Sequence, residues 1–233
     1  MKMFKSAALL IALAALMAEP ASAQAPDSTV RRQQRMLDSM SAPIESRRLM
    51  LLSMGVPVLE ALLVGDLVTA GRLLECNFPA DMSPYDFPLA SRLDQLRRDS
   101  SVEPWLLRAL IERASGTVIG HIGFHTPPRP EYLASVAPDA VELGYAVHAP
   151  FRRQGYATEA ILALMHWAYT IHGQRCFFMS ISPQNLASTV MAESLGFETC
   201  GSHVDVEDGL EIEFVRRLES WPTEWLAKAA AVK

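Results

Sequence analysis

Apolar positions along the chain form helix-spaced runs in its first half and mostly strand-like runs afterwards. Arg48 to Met54, with Leu49, Leu51 and Leu52, predicts a first strand. From Val58 to Leu74 the residues Leu59, Leu62, Leu63, Leu67, Ala70 and Leu74 recur at roughly helical spacing, and Gly65-Asp66 interrupts them. Cys76 to Asp86, with two prolines and two aromatics, reads as a loop, while Arg92–Arg98 and Pro104–Ile111 read as partly helical. The character then changes. Thr117 to Phe124 and Val141 to Val147 are β-branched and aromatic, hence strands, with the proline-rich loop Pro127-Pro128-Arg129-Pro130 between them. Ala157 to Thr170 gives the clearest helix: Ala157, Ala160, Ile161, Leu164, Met165 and Ala168 share one face, and His172-Gly173 stops it. Cys176–Ile181 predicts a buried strand, and Leu186–Leu195 a helix closed by Gly196. Glu198–Val206 and Leu210–Leu218 predict two strands hinged on Asp208-Gly209. A helix-rich opening followed by β-β-α-β-α-β-β predicts one mixed α/β domain.

The amino end departs from this pattern. Lys2 and Lys5 precede the apolar run Ala7–Met17, and Ala21-Ser22-Ala23 follows, the signature of a secretory leader over residues 1–23. The run is shorter than the roughly 20 residues that span a bilayer, so no stable membrane insertion is expected after cleavage. Residues 24–44 read as a polar linker, 45–218 as the folded domain and 219–233 as a helical tail. A start at Met40 is the alternative, and it would give a cytoplasmic protein where the leader would give a periplasmic or secreted one. Half of the 233 residues are apolar and a fifth charged, a globular composition. The net charge of -5 argues against nucleic acid as a partner but leaves room for a local phosphate site built from backbone N–H groups. Three scattered cysteines make neither a disulfide framework nor a zinc ribbon.

The chemistry concentrates between Val141 and Ala160. A strand ends near Ala149-Pro150, and Arg152-Arg153-Gln154-Gly155-Tyr156-Ala157 leads straight into the best helix. A helix start carries N–H groups without intrahelical partners and the positive end of the helix dipole, which together favour phosphate. Gly155 lets the backbone approach a ligand, and Arg152 and Arg153 add positive charge. Neither a Walker loop nor the dinucleotide fingerprint is present.

Arg152-x-x-Gly155-x-Ala157, after a strand and before a helix, resembles motif A of the GNAT family of N-acetyltransferases. Glu142-Leu143-Gly144-Tyr145, Pro150 and Arg153 to Ala160 are similar to the branch that holds the ribosomal-protein alanine acetyltransferases. So are the opening Glu45-Ser46-Arg47-Arg48-Leu49-Met50-Leu51, and Asn185-Leu186-Ala187-Ser188 with Glu193-Ser194-Leu195-Gly196-Phe197. The resemblance runs from about Glu45 to Leu218. It implies a twisted, mostly antiparallel sheet flanked by helices, in which two parallel strands splay apart. It also implies acetyl-CoA as donor substrate, no metal, and a small-molecule or peptide amine as acceptor, on a monomer or homodimer. The cofactor contacts it implies are Val147, Arg152, Arg153, Gln154, Gly155, Tyr156, Ala157, Thr158, Asn185 and Ser188.

Glu142, on the strand that would present the thioester, is the candidate catalytic base, directly or through water. Asn185 doubles as an N-cap with Ser188 three residues on. The family's helix tyrosine, a common general acid that this branch often lacks, is replaced here by Ala192, which leaves Tyr145, Ser188, water or direct proton return from the acceptor. His121 and His125, four apart, could share a strand face, but no third metal ligand is in view. His166 reads as packing or surface, Cys200 and His203 as lying on opposite strand faces, and Arg97-Arg98 and Arg216-Arg217 as solvated. Asp205, Glu207 and Asp208 make an acidic rim suited to a cationic amine. The expected activity is acetyl transfer to a primary amine by direct attack in a ternary complex. A non-catalytic CoA-binding sensor, or an exported binding protein on the same fold, are the alternatives.

Overall fold

The computed structural model describes residues 42–83, 87–206 and 208–225. The leader and most of the linker read from the sequence lie outside them, as do Glu207 and the last eight residues of the tail. The elements in chain order are β1 (Ile44–Glu45), β2 (Leu49–Ser53), α1 (Val56–Leu63), α2 (Leu67–Leu74), α3 (Leu89–Arg98), β3 (Arg108–Glu112), β4 (Thr117–Phe124) and β5 (Ala140–Val147). Then follow α4 (Tyr156–His172), β6 (Cys176–Ile181), α5 (Leu186–Ser194), β7 (Glu198–Asp205) and β8 (Gly209–Arg217). The strands form one sheet in the order β1-β2-β3-β4-β5-β6-β8-β7. Every neighbouring pair is antiparallel except β5 and β6.

Helices cover both faces of the sheet because each face carries its own apolar layer. On one face α4 buries Ala160, Ile161, Leu164, Met165 and Ala168 against Leu110, Ile122, Phe124, Val141 and Phe177. On the other, Val58, Leu59 and Leu62 of α1 and Leu89, Leu93 and Leu96 of α3 meet Leu107, Ala109, Ile111 and Val118. Burying one such Leu or Phe contributes about 1.5–3 kcal/mol, which is what holds short helices such as α1 and α2 in place. Gly65 breaks the helical run at φ 78, and the Asp66 carboxylate caps α2 by accepting from the Thr69 N–H. α4 stops at Gly173, which takes the left-handed conformation at φ 68 that a helix ending of this kind requires. The tail closes on α4 through Trp221 and Trp225, with His166 edge-on to Trp221.

Two sequence expectations change. Pro104–Ile111 is not partly helical: a 3-10 turn over Ser100–Trp105 gives way to β3, the third strand of the sheet. Both faces of β3 are buried, so the period-2 alternation that marks a half-exposed strand is missing from its sequence. Arg108 occupies one of those buried positions. Its Nη2 donates to the Pro104 carbonyl at 2.8 Å, its guanidinium lies 5.1 Å from the Trp167 ring, and burial pulls its pKa down to about 10. Arg216 is the second change. Its guanidinium lies 5.6 Å from the Trp225 ring and its Nε is buried, so it packs under the tail while Arg217 stays exposed.

Candidate active site

β5 and β6 are in register only over Ala140↔Cys176, Val141↔Phe177 and Glu142↔Phe178. Beyond Glu142, β5 stays paired to β4 from Leu143 to Val147, and β6 stays paired to β8 as far as Ile181. The two strands part between them, leaving main-chain edges inside the sheet without a strand partner. A cavity of about 730 Å³ opens at this fork. Its walls include Leu143 to Ala146 of β5, Met179 to Ser182 from β6 onward, and Asn185 and Ser188 at the start of α5.

Asn185 and Ser188 sit where the sequence expects them. Asn185 Oδ1 accepts from the Ser188 N–H at 3.2 Å, which caps α5. The Ser188 hydroxyl is 2.9 Å from the Tyr145 hydroxyl, a bond that spans the fork from α5 to β5. Burial raises the Tyr145 phenol and the Ser188 hydrogen bond opposes part of that rise, so Tyr145 stays protonated and able to donate. Ala192 is fully buried in the core, so the cavity's hydroxyl donors are Tyr145 and its serine neighbours.

The loop after β5 is where the sequence expects a phosphate cradle. Arg153 at φ 64 and Gly155 at φ 79 are both left-handed, which turns the chain sharply into α4. Gly155 is the helix N-cap and no side chain caps the helix, so the N–H groups of its first turn stay available. The predicted contacts in this stretch divide. Arg153 is exposed, and Ala157 and Thr158 are half-buried in the first turn of α4. Gln154 uses its side-chain amide on the Pro150 carbonyl at 3.3 Å, and its own carbonyl accepts from Arg48 Nη1 at 3.0 Å. Arg152 turns back, its Nε donating to the Val147 carbonyl at 2.7 Å. The Tyr156 side chain points into the protein: its hydroxyl donates to Glu112, and the Arg48 guanidinium lies 4.3 Å from its ring. Tyr156 can therefore serve a ligand only through its main chain.

Glu159 places a carboxylate close to this turn. The side chain is 1 % exposed and faces the β1–β2 turn. It accepts from the Ser46 hydroxyl, the Arg48 N–H and Arg48 Nε, each at 2.7 Å. Its negative charge is thus matched by Arg48, and the helix start remains favourable to an anion.

At the closed end of the fork, Glu142 is 5 % exposed. Its Oε1 accepts from the Ser180 hydroxyl at 2.8 Å, and its Oε2 lies 3.3 Å from His125 Nδ1. Burial pushes the carboxyl up, but bonds and charge from His125, with Ser180 and Tyr132, outweigh it and hold the pKa at about 2. A folded-state pKa below the ordinary 4.5 means a stabilising contribution present above about 4.5 and lost as the pH falls towards about 2. Glu142→Gln is therefore expected to flatten the loss of stability across that acid window. Urea midpoints at stepped pH measure it, and equal slopes for both proteins would contradict the assignment.

The cavity wall is completed by Pro88 and Arg92 on the α3 side, His121 and His125 from β4 onward, and Asp208 and Glu211 of the β7–β8 hairpin. Burial lowers the Arg92 pKa, with the charges of Tyr132 and Glu142 opposing it. Burial and the neighbouring Asp208 raise that of Glu211. Asp205, expected in the acidic rim, instead accepts from the Asp208 N–H at 2.9 Å and shapes the turn. His121 is buried against Phe87, with ring centres 4.9 Å apart, and His125 lies beyond the end of β4 on Glu142, so the two histidines do not form a pair. Among the described residues no group of three or more His, Cys, Asp or Glu side chains is placed to hold a metal ion. Burial pushes the Cys76 thiol up to about 11 and raises Cys176 and Cys200, so none has the lowered pKa of a thiolate nucleophile. Among the described residues no helix is long and apolar enough to cross a membrane.

A forked parallel strand pair followed by a glycine-capped helix is the geometry that the sequence motifs imply. The family model for the acetyltransferase (GNAT) domain matches residues 78–198, just over half of the chain. The chain belongs to the GNAT acetyltransferase family. Solved structures with the same fold include a ribosomal-protein-S5-alanine acetyltransferase from Vibrio fischeri, 13 % identical with a TM-score of 0.52 over 78 % of this chain and 99 % of that one. A GCN5-related N-acetyltransferase from Brucella melitensis is 21 % identical with a TM-score of 0.53, over 83 % of this chain and 86 % of that one. A ribosomal L7/L12 alpha-N-protein acetyltransferase in complex with coenzyme A is 17 % identical with a TM-score of 0.52, over 76 % of this chain and 99 % of that one. As a GNAT enzyme the chain is an acyltransferase with acetyl-CoA as its donor.

Sequence reading passed over several residues of this site. Ser180 was visible as the one polar residue in the apolar run Cys176–Ile181. Arg92 and Tyr132 gave no comparable signal, because surface-like charged and aromatic residues become site residues only when the chain folds over them.

Proposed function

We propose that this GNAT enzyme moves the acetyl group of acetyl-CoA onto a primary amine, either a protein N-terminus or a small-molecule amine, by direct attack in a ternary complex. The observation that carries this reading is the fork. Main-chain edges without a strand partner suit an arm that carries amides, and the Gly155 turn at the far end of β5 suits the diphosphate to which that arm is joined. In this reading the N–H groups from Arg153 to Thr158 hold the phosphates, Val147 marks the strand end, and Asn185 and Ser188 line the other side. Tyr145 and Ser188 supply a proton to the departing sulfur. Glu142 serves the acceptor end of the cavity, and Asp208 and Glu211 on the hairpin favour an acceptor that arrives as an ammonium.

The test is direct. The full chain is incubated with acetyl-CoA and, separately, with a peptide bearing an N-terminal alanine, a peptide bearing an N-terminal serine, and spermidine. Thiol release and the mass of one added acetyl group are followed. Transfer to an amine nitrogen is expected. Tight CoA binding without transfer to any of a broad panel of amines would favour a sensor role on the same fold.

A further inference from the structure

Glu142 is poorly placed to take a proton itself, since both of its oxygens are engaged and its side chain is nearly sealed from the cavity. The group between it and the cavity is His125. We infer that His125 accepts the proton of the attacking amine at Nε2, with Glu142 as the positioning residue that holds its ring through Nδ1. This inference rests on the acetyl-transfer reading above.

The main chain of His125 is fixed from two sides. Its N–H donates to the Glu142 carbonyl at 2.9 Å. Its own carbonyl accepts from Gln95 Nε2 at 2.8 Å and from Arg92 Nη1 at 3.2 Å, both on α3. The ring is fixed as well. An ionised carboxylate only accepts, so the Nδ1 that faces Glu142 Oε2 carries the hydrogen, and in the neutral ring Nε2 keeps its lone pair. Nε2 lies over Gly144, where a Cβ would stand only 2.7 Å away, so the missing side chain of Gly144 is what admits the ring. The His125 side chain is 39 % exposed and lines the cavity beside Gly144 and Tyr145. The charged and titratable groups around it are Glu142 on β5, Tyr132 in the β4–β5 connection, Arg92 on α3, and Asp208 and Glu211 across the cavity.

The proton balance closes with these groups. The ammonium nitrogen gives one proton to Nε2, which later releases it to water, and the freed lone pair forms the N–C bond at the thioester carbonyl. As the C–S bond breaks, the sulfur takes its proton from the Tyr145–Ser188 side, and the second proton shed by nitrogen replaces it.

Ring-nitrogen NMR on the full chain labelled with ¹⁵N-histidine tests the geometry without any acceptor, with His125→Gln identifying the signal. The ring is expected as the Nδ1–H tautomer when neutral, and an Nε2–H tautomer overturns the inference. With the alanyl peptide, seryl peptide or spermidine as acceptor, His125→Ala is expected to lose about 100-fold in kcat. Its acetyl-CoA affinity should be unchanged, the acid limb of its kcat/KM profile lost, and activity partly restored by added imidazole. A variant within about threefold of the parent and with the same pH profile also overturns it. If the parent binds CoA but acetylates no amine, the acetyl-transfer reading has failed, and the tautomer still decides the placement of His125.

Discussion

Gly155→Glu is expected to weaken acetyl-CoA and CoA binding by at least about 100-fold, or about 2.7 kcal/mol. Three effects act in the same direction. Gly155 is the N-cap of α4 at φ 79, so any side chain there is strained. A glutamate side chain would stand at the mouth of the helix start, in the space a phosphate needs. Its charge would also occupy the positive end of the helix dipole that otherwise favours the ligand. Gly155→Ala separates these causes, since it carries the strain without the bulk or charge and should keep most of the affinity. Calorimetric titration of both ligands into the two variants, with thermal melts to show that each is folded, gives the answer. Equal affinity for Gly155→Glu and the parent would remove the cradle from the binding site.

Glu159→Ala is expected to cost about 3–5 kcal/mol of stability, the range for breaking a buried ion pair from one side. The carboxylate takes three hydrogen bonds from Ser46 and Arg48 and joins the first turn of α4 to the β1–β2 turn. Its loss leaves the Arg48 guanidinium mostly buried without the carboxylate that its Nε meets, beside the Tyr156 ring and the Gln154 carbonyl. At this chain length the melting temperature should fall by about 6–20 °C, following the usual 2–4 °C per kcal/mol. Glu159→Gln keeps the shape and loses the charge, so its melt should fall between the two. If the anchored turn holds the phosphates as proposed, CoA affinity should fall in step with stability in this series, whereas Gly155→Glu should lose far more affinity than its melt accounts for. A melt of Glu159→Ala within about 2 °C of the parent would show that the buried carboxylate is not an anchor.

The order of elements after Thr117 was legible because each element buries one face and exposes another, which writes its period into the chain. β4 and β6 have the boundaries expected for them, and the breaks at Gly65, Gly173 and Gly196 follow from the left-handed backbone that glycine permits. β3 escaped because Leu107, Ala109 and Ile111 face one apolar layer while Arg108 and Leu110 face the other. A strand buried on both sides has no alternation to read, and its arginine makes it look less like a strand still.

In the candidate site, the glycine turn between β5 and α4 was legible for the same local reason. A strand, a glycine turn and a helix start are contiguous in sequence, so Arg152 to Thr158 could be placed before any packing was known. What each side chain does there was not local. Tyr156 turns inward because Glu112 and Arg48, far away in the chain, meet its hydroxyl and ring, and Arg152 folds back onto Val147.

The sequence by itself determined the fold class, the helix and strand order of the second half, and the glycine-capped turn, since all of these depend on residues within one or two turns of one another. Tertiary structure alone decided where β5 parts from β6, and that Glu142 meets Ser180 and His125. It also decided that Gly144 leaves room for the His125 ring. These are contacts between strands brought together only by the sheet, and their energies depend on distance in space, which the spacing of residues along the chain does not encode.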